Sequence, residues 1–283
     1  MRFLSWNIQW CRGTDGRVDP VRIASEVRRL ADPDVACFQE VAKNYAELPG
    51  SHGEDQVEAL AGELAGYEFA YGYGVDLPDG KGSRKRFGNL IVSRLPLLRV
   101  LRHALPWPAD PEVPSMPRVA VEAVVETRFG PIRVVTTHLE YYSPPQRAAQ
   151  IERLRELHAE ACAHALRPPL ALRDSGPFRR EARPRSAIVC GDFNQPPHDT
   201  ARVRLLAPFD DGAPSMVDAW QTLYPGTPHP HTFRLHERDP GVMPYCCDYV
   251  FVSEDLAPRI TAVRVDADTQ ASDHQPVIVE FRD

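Results

Sequence analysis

The sequence predicts an α/β or α+β fold that is rich in strands, with helices covering β-sheets. Short apolar runs of strand length recur almost throughout the 283 residues. Segments of helical periodicity separate some of these runs, and turn residues separate others. Such a chain buries its apolar faces by packing helices on sheets, so a layered domain follows.

The first elements alternate between strand and helix. RFLSWNI predicts a first strand, after which Asp19 and Pro20 form an N-cap and first helical residue, followed by an apolar stripe over residues 21–30. DVACFQE predicts a second buried strand that ends at Glu40. The apolar spacing within residues 57–64 predicts a second helix.

The middle of the chain predicts four strands and the longest helix. The strands are YEFAYGY, NLIVS, RVAVEAVVET and IRVVTTH, and the basic segment GKGSRKRFGN before NLIVS predicts a loop. Ser143 and Pro144 begin the helix, whose inner face carries apolar residues as far as Ala161.

The last third predicts further strands in AIVCGDFN, HTFRL, CDYVFVS, ITAVRV and QPVIVEF. The preceding segment 167–186 is rich in Pro and Arg and has no clear periodicity. Because strands on both sides are needed for one sheet system, we interpret it as a surface loop inside a single domain that spans residues 1–283.

Composition narrows the classes of function. A net charge of −6 argues against a protein that clamps nucleic acid over a broad surface, but it allows an enzyme that touches a few phosphates. No apolar run is long enough to span a membrane and no leader pattern opens the chain, so we expect a cytoplasmic protein without stable membrane insertion. The cysteines lack C-x-x-C spacing, which argues against a structural zinc site or a disulfide framework.

Polar side chains collect where predicted strands begin or end. They are Asn7, Glu40, His138, Asp192, Asn194, Asp248, Asp273 and His274. In GDFN, strand alternation places Asp192 and Asn194 side by side at the rim of a sheet, although both are also ordinary turn residues. Any one of these residues can be a cap or a turn, whereas loops gathered at one sheet edge favour a functional site.

The chemistry of this set suits phosphate-ester hydrolysis. Carboxylates and amides with two histidines, and no cysteine cluster, fit a hard cation such as Mg²⁺ or Mn²⁺. The cation and the neutral or cationic donors would stabilise charge on the phosphate oxygens, while a carboxylate orients or deprotonates water.

Seven segments occur in an order that resembles the endonuclease/exonuclease/phosphatase superfamily, the deoxyribonuclease-I-like metal-dependent phosphoesterases. They are SWNIQW, FQEV, GNLIVSRLPL, TTHLE, GDFNQPP, CDYVFVS and SDHQPV, and they extend from residue 5 to residue 277. The resemblance implies a four-layered sandwich of two mixed β-sheets packed face to face, with helices outside and the site at one end.

The resemblance also implies roles for the acidic and amide residues. Glu40 would be the main metal ligand with Asn7 beside it, and Asp273 would bind the metal directly, through water or at a second position. Asp192 would position or deprotonate the attacking water, and Asn194 would hold the phosphate or that water.

The two histidines receive phosphate-facing roles by the same resemblance. His138 would hydrogen-bond a phosphate oxygen, and His274 would do the same or transfer a proton, oriented by Asp248. The chain departs from many abasic-site nucleases of the superfamily, because Gln9 stands where they carry an acid. This departure lowers the expectation of a DNA-repair member.

Several further residues are candidates for contact with substrate. The basic segment is either an ordinary solvated run of charge or a site that binds a substrate phosphate through Asn89 and Arg84–Arg86. Arg118 is either a surface arginine or a further contact to a phosphate. For Tyr141 and Tyr142, packing over the start of the helix is the more common outcome, and stacking on a base or lining a lipid or sugar pocket is the alternative.

The leading functional prediction is a Mg²⁺-dependent phosphoesterase that cleaves a P–O bond by in-line attack of water. A DNA or RNA phosphodiester is the first candidate substrate. A phosphatase or phosphodiesterase acting on lipid head groups or small phosphate esters is the alternative, which the negative net charge favours. A non-catalytic relative that binds a partner is the third possibility, and the presence of all the expected site residues argues against it.

Overall fold

The computed structural model describes residues 1–80, 82–170, 175–181, 183–236, 241 and 243–283. The strands are β1 (Arg2–Asn7), β2 (Val35–Lys43), β3 (Glu68–Pro78), β4 (Arg84–Ser93), β5 (Leu97–Ala104), β6 (Val119–Thr127), β7 (Gly130–His138), β8 (Ala187–Asp192), β9 (Met216–Asp218), β10 (Asp248–Ser253), β11 (Ile260–Val265) and β12 (Val277–Phe281). The α-helices are α1 (Pro20–Leu30), α2 (Gln56–Glu63), α3 (Pro144–Leu166), α4 (Thr200–Leu206) and α5 (Ala219–Leu223).

The strands form two six-stranded mixed sheets. The first has the order β11–β12–β1–β2–β4–β3 and the second has the order β5–β6–β7–β8–β10–β9. The pairs β1–β2 and β7–β8 are parallel, whereas the other neighbours are antiparallel. Each sheet therefore contains one parallel pair whose strands end at the same edge.

Three apolar clusters give the four layers. The central cluster joins the inner faces of both sheets, as Phe3 and Ile91 of the first sheet pack with Val134 and Ile188 of the second. A second cluster packs α1 and α2 on the outer face of the first sheet, and a third packs α3 and α4 on the outer face of the second. The four-layered α/β sandwich predicted from the sequence is confirmed.

The predicted helix starts are also found. Asp19 accepts a hydrogen bond from the backbone N–H of Arg22 at 3.0 Å, and Ser143 accepts one from Gln146 at 3.3 Å. A proline follows each cap, where its missing N–H removes no helical hydrogen bond. These caps fix where α1 and α3 begin.

Three local predictions are wrong. The basic segment is not a loop throughout, because Arg84–Arg86 already belong to β4 and pair with the end of β3. β2 does not end at Glu40 but continues to Lys43 after an irregularity in its register. HTFRL is not a strand, since Phe233 makes only isolated bridges, to Tyr245 and His274.

The sequence interpretation also missed β5. This strand lies at the edge of the second sheet, three of its eight residues are exposed and none is fully buried, so it lacks the continuous apolar run of a buried strand. Part of the predicted surface loop, residues 171–174 and 182, lies outside the described residues. Among the helices that the structure describes, none is both long and apolar enough to cross a membrane.

Candidate active site

The predicted polar residues meet at one edge of the two sheets. His138 ends β7 and lies opposite Asp192, which ends the parallel strand β8, while Asp248 opens the antiparallel strand β10 opposite the same aspartate. Asn7 ends β1, and His274 shortly precedes β12, the antiparallel neighbour of β1. Topology thus brings residues far apart in sequence to one place.

A cavity of about 350 Å³ opens at this edge. Its polar lining consists of Glu40, Arg118, His138, Asp192, Asn194, Asp273 and His274. Asn7 and Asp248 lie behind these residues and hydrogen-bond to them. A pocket with apolar walls and convergent polar groups is the usual form of a small-ligand site.

Unusual backbone conformations aim two of the side chains. Glu40 has a φ of 59° at the irregularity of β2, and Asn194 has a φ of 52° just after β8. A bulge of this kind re-aims a side chain that regular alternation would place elsewhere. Gly191 is required for a different reason, because a Cβ atom there would lie 1.9 Å from the carbonyl oxygen of Thr137.

Asn7 connects the two central carboxylates. Its Nδ2 donates to Oε1 of Glu40 at 3.1 Å and to Oδ2 of Asp192 at 3.0 Å. The other oxygen of Asp192 accepts the backbone N–H of Asn194 at 2.8 Å. Asp192 is therefore held at both oxygens, and its Oδ2 faces Nε2 of His138 at 3.5 Å.

His274 and Asp248 form the predicted imidazole–carboxylate pair. Nδ1 of His274 lies 2.9 Å from Oδ2 of Asp248, and Nε2 lies 3.7 Å from Oδ2 of Asp192. Phe233 stacks on the imidazole with ring centroids 4.3 Å apart. Burial alone would lower the pKa of His274, but the charges of Asp248 and Asp192 outweigh it and raise this pKa to about 10.

Three buried carboxylates of the site have pKa values above the ordinary range, because negative charge exceeds positive charge around them. Burial and the charge of Asp248 raise the pKa of Asp192 to about 6. Burial and the charge of Asp273 raise the pKa of Glu40 to about 7, and burial also raises the pKa of Asp273. These acids lie together with too little positive charge to balance them, which favours binding of a cation.

The donors that line the cavity fit a hard divalent cation. Glu40 and Asp273 supply carboxylate oxygens, the ligand type that Mg²⁺ and Mn²⁺ prefer. A different group, Asp192, Cys247, Asp248 and His274, has ligand-type atoms within 4.8 Å of one another. Within that group, His274 and Asp248 are already hydrogen-bonded to each other, which leaves their atoms less available to a cation than the carboxylates of Glu40 and Asp273.

Arg118 has an unusual hydrogen-bonding state. Only 8 % of the residue is exposed, its Nε donates to Oε2 of Glu140 at 3.2 Å, and its buried Nη1 has no hydrogen-bond partner among the described residues.

Burial and the positive charges of Arg118 and His274 lower the pKa of His138, which makes it a neutral donor or acceptor.

Asn89 lies deeper than the other predicted substrate-binding residues. It lines a smaller neighbouring cavity with Arg118 and His138, and its Nδ2 donates to the carbonyl of Val119 at 2.9 Å. This bond joins the two sheets, and the contact of Asn89 with substrate stays a prediction.

Sequence reasoning missed two residues that position the site. Glu140 is fully buried and holds Arg118, although it lies in the quoted segment TTHLE directly after His138. Gln9, noted only as a departure from other nucleases, donates its Nε2 to Oδ2 of Asp273 at 2.7 Å. Each of these residues lies two positions after a predicted site residue at a strand end, Gln9 after Asn7 and Glu140 after His138. This spacing was the available signal, but it does not reveal which residues they bind.

Comparisons with known proteins agree with this geometry. The sequence profile of the Endonuclease/Exonuclease/phosphatase family matches residues 4–274. An endonuclease/exonuclease/phosphatase from Beutenbergia cavernae is 26% identical with a TM-score of 0.65, and the match covers 100% of this chain and 71% of that one. No protein in the curated set matches the chain.

Two further solved structures share the fold. The mannosyl-6-phosphatase of Bacteroides thetaiotaomicron is 18% identical with a TM-score of 0.66, and both chains are covered completely, at 100%. The human nocturnin catalytic domain, solved with a bound sulfate anion, is 18% identical with a TM-score of 0.63, covering 100% of this chain and 94% of its own.

Proposed function

Because this chain belongs to the endonuclease/exonuclease/phosphatase family and is a hydrolase of phosphate esters, we propose that it is a Mg²⁺- or Mn²⁺-dependent phosphoesterase in which Asp192 activates water. The observation that carries the proposal is the buried Asp192 carboxylate, hydrogen-bonded by Asn7 and flanked by His138 and His274 at the wall of one cavity. A bound divalent cation would stabilise the charge that develops on the phosphate oxygens.

The chain's own residues divide the remaining work. With a pKa of about 6, Asp192 is mostly ionised at neutral pH and is matched to accept a proton from water. The His274 imidazolium keeps that carboxylate anionic and can donate a proton from Nε2 to a phosphate or leaving-group oxygen. Neutral His138 and Nη1 of Arg118 add hydrogen-bond donors for the phosphate.

A metal-supplemented activity screen tests this proposal. The panel contains DNA, RNA, nucleotides, phosphoinositides, sphingomyelin and phosphate monoesters, each assayed with Mg²⁺ or Mn²⁺ and with chelator. We expect hydrolysis that chelator abolishes and that Asp192→Asn removes. No hydrolysis on any substrate, together with no divalent-metal binding by calorimetry, would contradict it.

The first candidate substrate is a nucleic-acid phosphodiester. Aromatic side chains around the cavity support it, because aromatic faces stack on bases; they are Trp10, Phe87, Tyr141 and Tyr142. A small phosphate ester is the second candidate, and a specific observation favours it. Basic residues of the β3–β4 hairpin carry acidic partners, as shown by the Arg84–Asp76 pair.

Salt dependence separates the two candidates. Binding of a polyanion weakens steeply with salt in proportion to the phosphates contacted, whereas binding of a small ester changes little. KM measured on an oligonucleotide and on a mononucleotide ester over a range of NaCl gives the slopes. A steep slope for the oligonucleotide would identify a nucleic-acid polymer as the substrate. Shallow slopes for both ligands would identify a small phosphate ester as the substrate.

A further inference from the structure

We infer that the cavity contains a subsite for a planar ring of the substrate, formed by Tyr141 and Tyr142 beside the position of the phosphate. This inference rests on the proposed phosphoesterase function, because the ring must belong to the ester whose phosphate Arg118 binds. It assigns the substrate class as a phosphate ester that carries a nucleobase or a comparable aromatic ring.

The phosphate end of this subsite is marked by Arg118. Arg118 lines the cavity, and its buried Nη1 lacks a hydrogen-bond partner among the described residues. A buried donor without a partner costs free energy, and a charged donor costs more. An anionic oxygen of the substrate would remove this cost, so the residue is ready for a phosphate.

The ring end is marked by two exposed aromatic side chains in the same cavity. Tyr141 is 40% exposed and Tyr142 is 54% exposed, and their rings meet edge to face at 4.7 Å. Large aromatic side chains normally bury most of their surface, and exposed ones beside a polar site are typical of ligand contact.

One buried carboxylate fixes both ends. Oε2 of Glu140 accepts from Nε of Arg118, and Oε1 accepts the backbone N–H of Tyr142 at 3.0 Å. Arg147 holds the same turn by donating to the carbonyl of Tyr141 at 3.0 Å. The tyrosine turn and the guanidinium are therefore set relative to each other before substrate arrives, which lowers the cost of binding a ligand that contacts both.

The rest of the cavity suits a ring better than a long polyanion. Trp10 and Tyr45 pack around Phe87 at centroid distances of 6.5 and 6.4 Å and supply further aromatic lining. Nearby cations have acidic partners, since Lys85 contacts Glu47 at 2.5 Å. Affinity should then come from one phosphate and from stacking, not from a row of phosphates.

Calorimetric titration of the 283-residue chain tests the subsite without turnover. The Asp192→Asn background receives adenosine 5′-monophosphate, ribose 5-phosphate and inorganic phosphate in turn, in the presence of Mg²⁺. Stacking on tyrosine should make the adenine-containing ligand bind about tenfold more tightly than ribose 5-phosphate. Tyr141→Leu and Tyr142→Leu should reduce this preference and leave the affinity for inorganic phosphate unchanged, which also reports an intact fold.

Tyr224→Leu is the matched control, because this tyrosine is 38% exposed and follows α5 at a distance in sequence from the tyrosine turn. Equal affinity for the two organic phosphates, or a preference that survives in both leucine variants, would overturn the ring subsite even if the protein hydrolyses phosphate esters. Absence of all phosphate binding together with absence of metal-dependent hydrolysis would overturn the proposed function, and the subsite with it.

A single-stranded tetranucleotide added to the same series identifies the source of the ring. Tighter binding than the mononucleotide, with the same loss in the leucine variants, assigns a polymer end. Equal binding with that loss assigns a free nucleotide, and both results support the subsite.

Discussion

Two acidic side chains buried in the second sheet differ in how their charge is balanced. Glu122 in β6 receives two guanidinium hydrogen bonds from Arg183, and its Oε2 lies 3.0 Å from Nε2 of His103. Burial alone would raise the pKa of Glu122, but the bond from His103 and the neighbouring arginines lower it to about 2. Asp192 in β8 is equally buried and has its pKa raised to about 6 by burial and by the charge of Asp248.

This difference in charge balance separates a structural cluster from the cluster that we propose to be reactive. The compensated Glu122 joins Arg183, at the end of the predicted surface loop, to the sheet, so its charge contributes to stability. The acids around Asp192 repel one another and retain proton affinity near neutral pH, which suits acid–base chemistry and cation binding. Charge balance, more than burial, distinguishes the two.

The largest expected effect is on activity. Asp192→Asn should lower kcat by about a thousandfold, the middle of the range for loss of a general base. Its free energy of unfolding should stay equal or rise at neutral pH, because the substitution removes a charge that faces Asp248. Steady-state kinetics and urea unfolding measure the two quantities, and wild-type activity in this variant would remove Asp192 from the mechanism.

The second effect is on stability. Glu122→Gln should lower the free energy of unfolding by about 3 kcal/mol, since it removes the nearer and buried carboxylate partner of the Arg183 guanidinium and leaves the exposed Glu160 at 3.8 Å. Activity of the folded protein should not change, because Glu122 is not among the residues that line the cavity. A loss of kcat in this variant without a loss of stability would contradict a purely structural role for Glu122.

The same variant gives a pH dependence with a defined sign. The pKa of Glu122 falls from an ordinary 4.5 to about 2 on folding, so its stabilisation is fully present above pH 4.5. It is lost as the pH falls through about 2. The difference in unfolding free energy between wild type and Glu122→Gln should therefore shrink over this interval, and a constant difference would contradict a charge-based role.

A third change increases the imbalance at the site. Gln9→Glu adds a carboxylate where a neutral amide now donates to Asp273, so Mg²⁺ should bind about tenfold more tightly, or about 1.4 kcal/mol. Calorimetry with MgCl₂ and MnCl₂ measures the affinity. Gln9→Met is the control, because it removes the hydrogen bond without adding charge, and equal affinity in the Glu and Met variants would speak against Gln9 as a determinant of site charge.

The smallest effect is expected at the rim. Arg84→Gln breaks an exposed pair with Asp76 and should leave the free energy of unfolding nearly unchanged. KM for a mononucleotide ester should also stay the same. A large rise in KM would instead show that this arginine contacts substrate.

Much of the site was predictable because its polar side chains lie at strand ends. The apolar runs locate β7, β8 and β10, and the polar residues that bound them, His138, Asp192 and Asp248, are visible without coordinates. Wrong predictions occur where the local pattern is weak. β4 starts with three basic residues that resemble a loop, yet they complete backbone hydrogen bonds with β3.

The layered fold, the helix caps and the identity of the polar residues could be predicted from the sequence alone, because periodicity and capping are local properties of the chain. Which of these residues touch could be read only from the three-dimensional arrangement of the strands. The bond from Asn7 to Asp192 joins β1 and β8, and the bond from Arg118 to Glu140 joins the residue before β6 to the loop after β7. The conformation of Glu40 depends on the register between β2 and β4. Pairing across sheets and the resulting charge balance depend on which residues are close in three dimensions. The spacing of residues along the chain does not reveal this proximity.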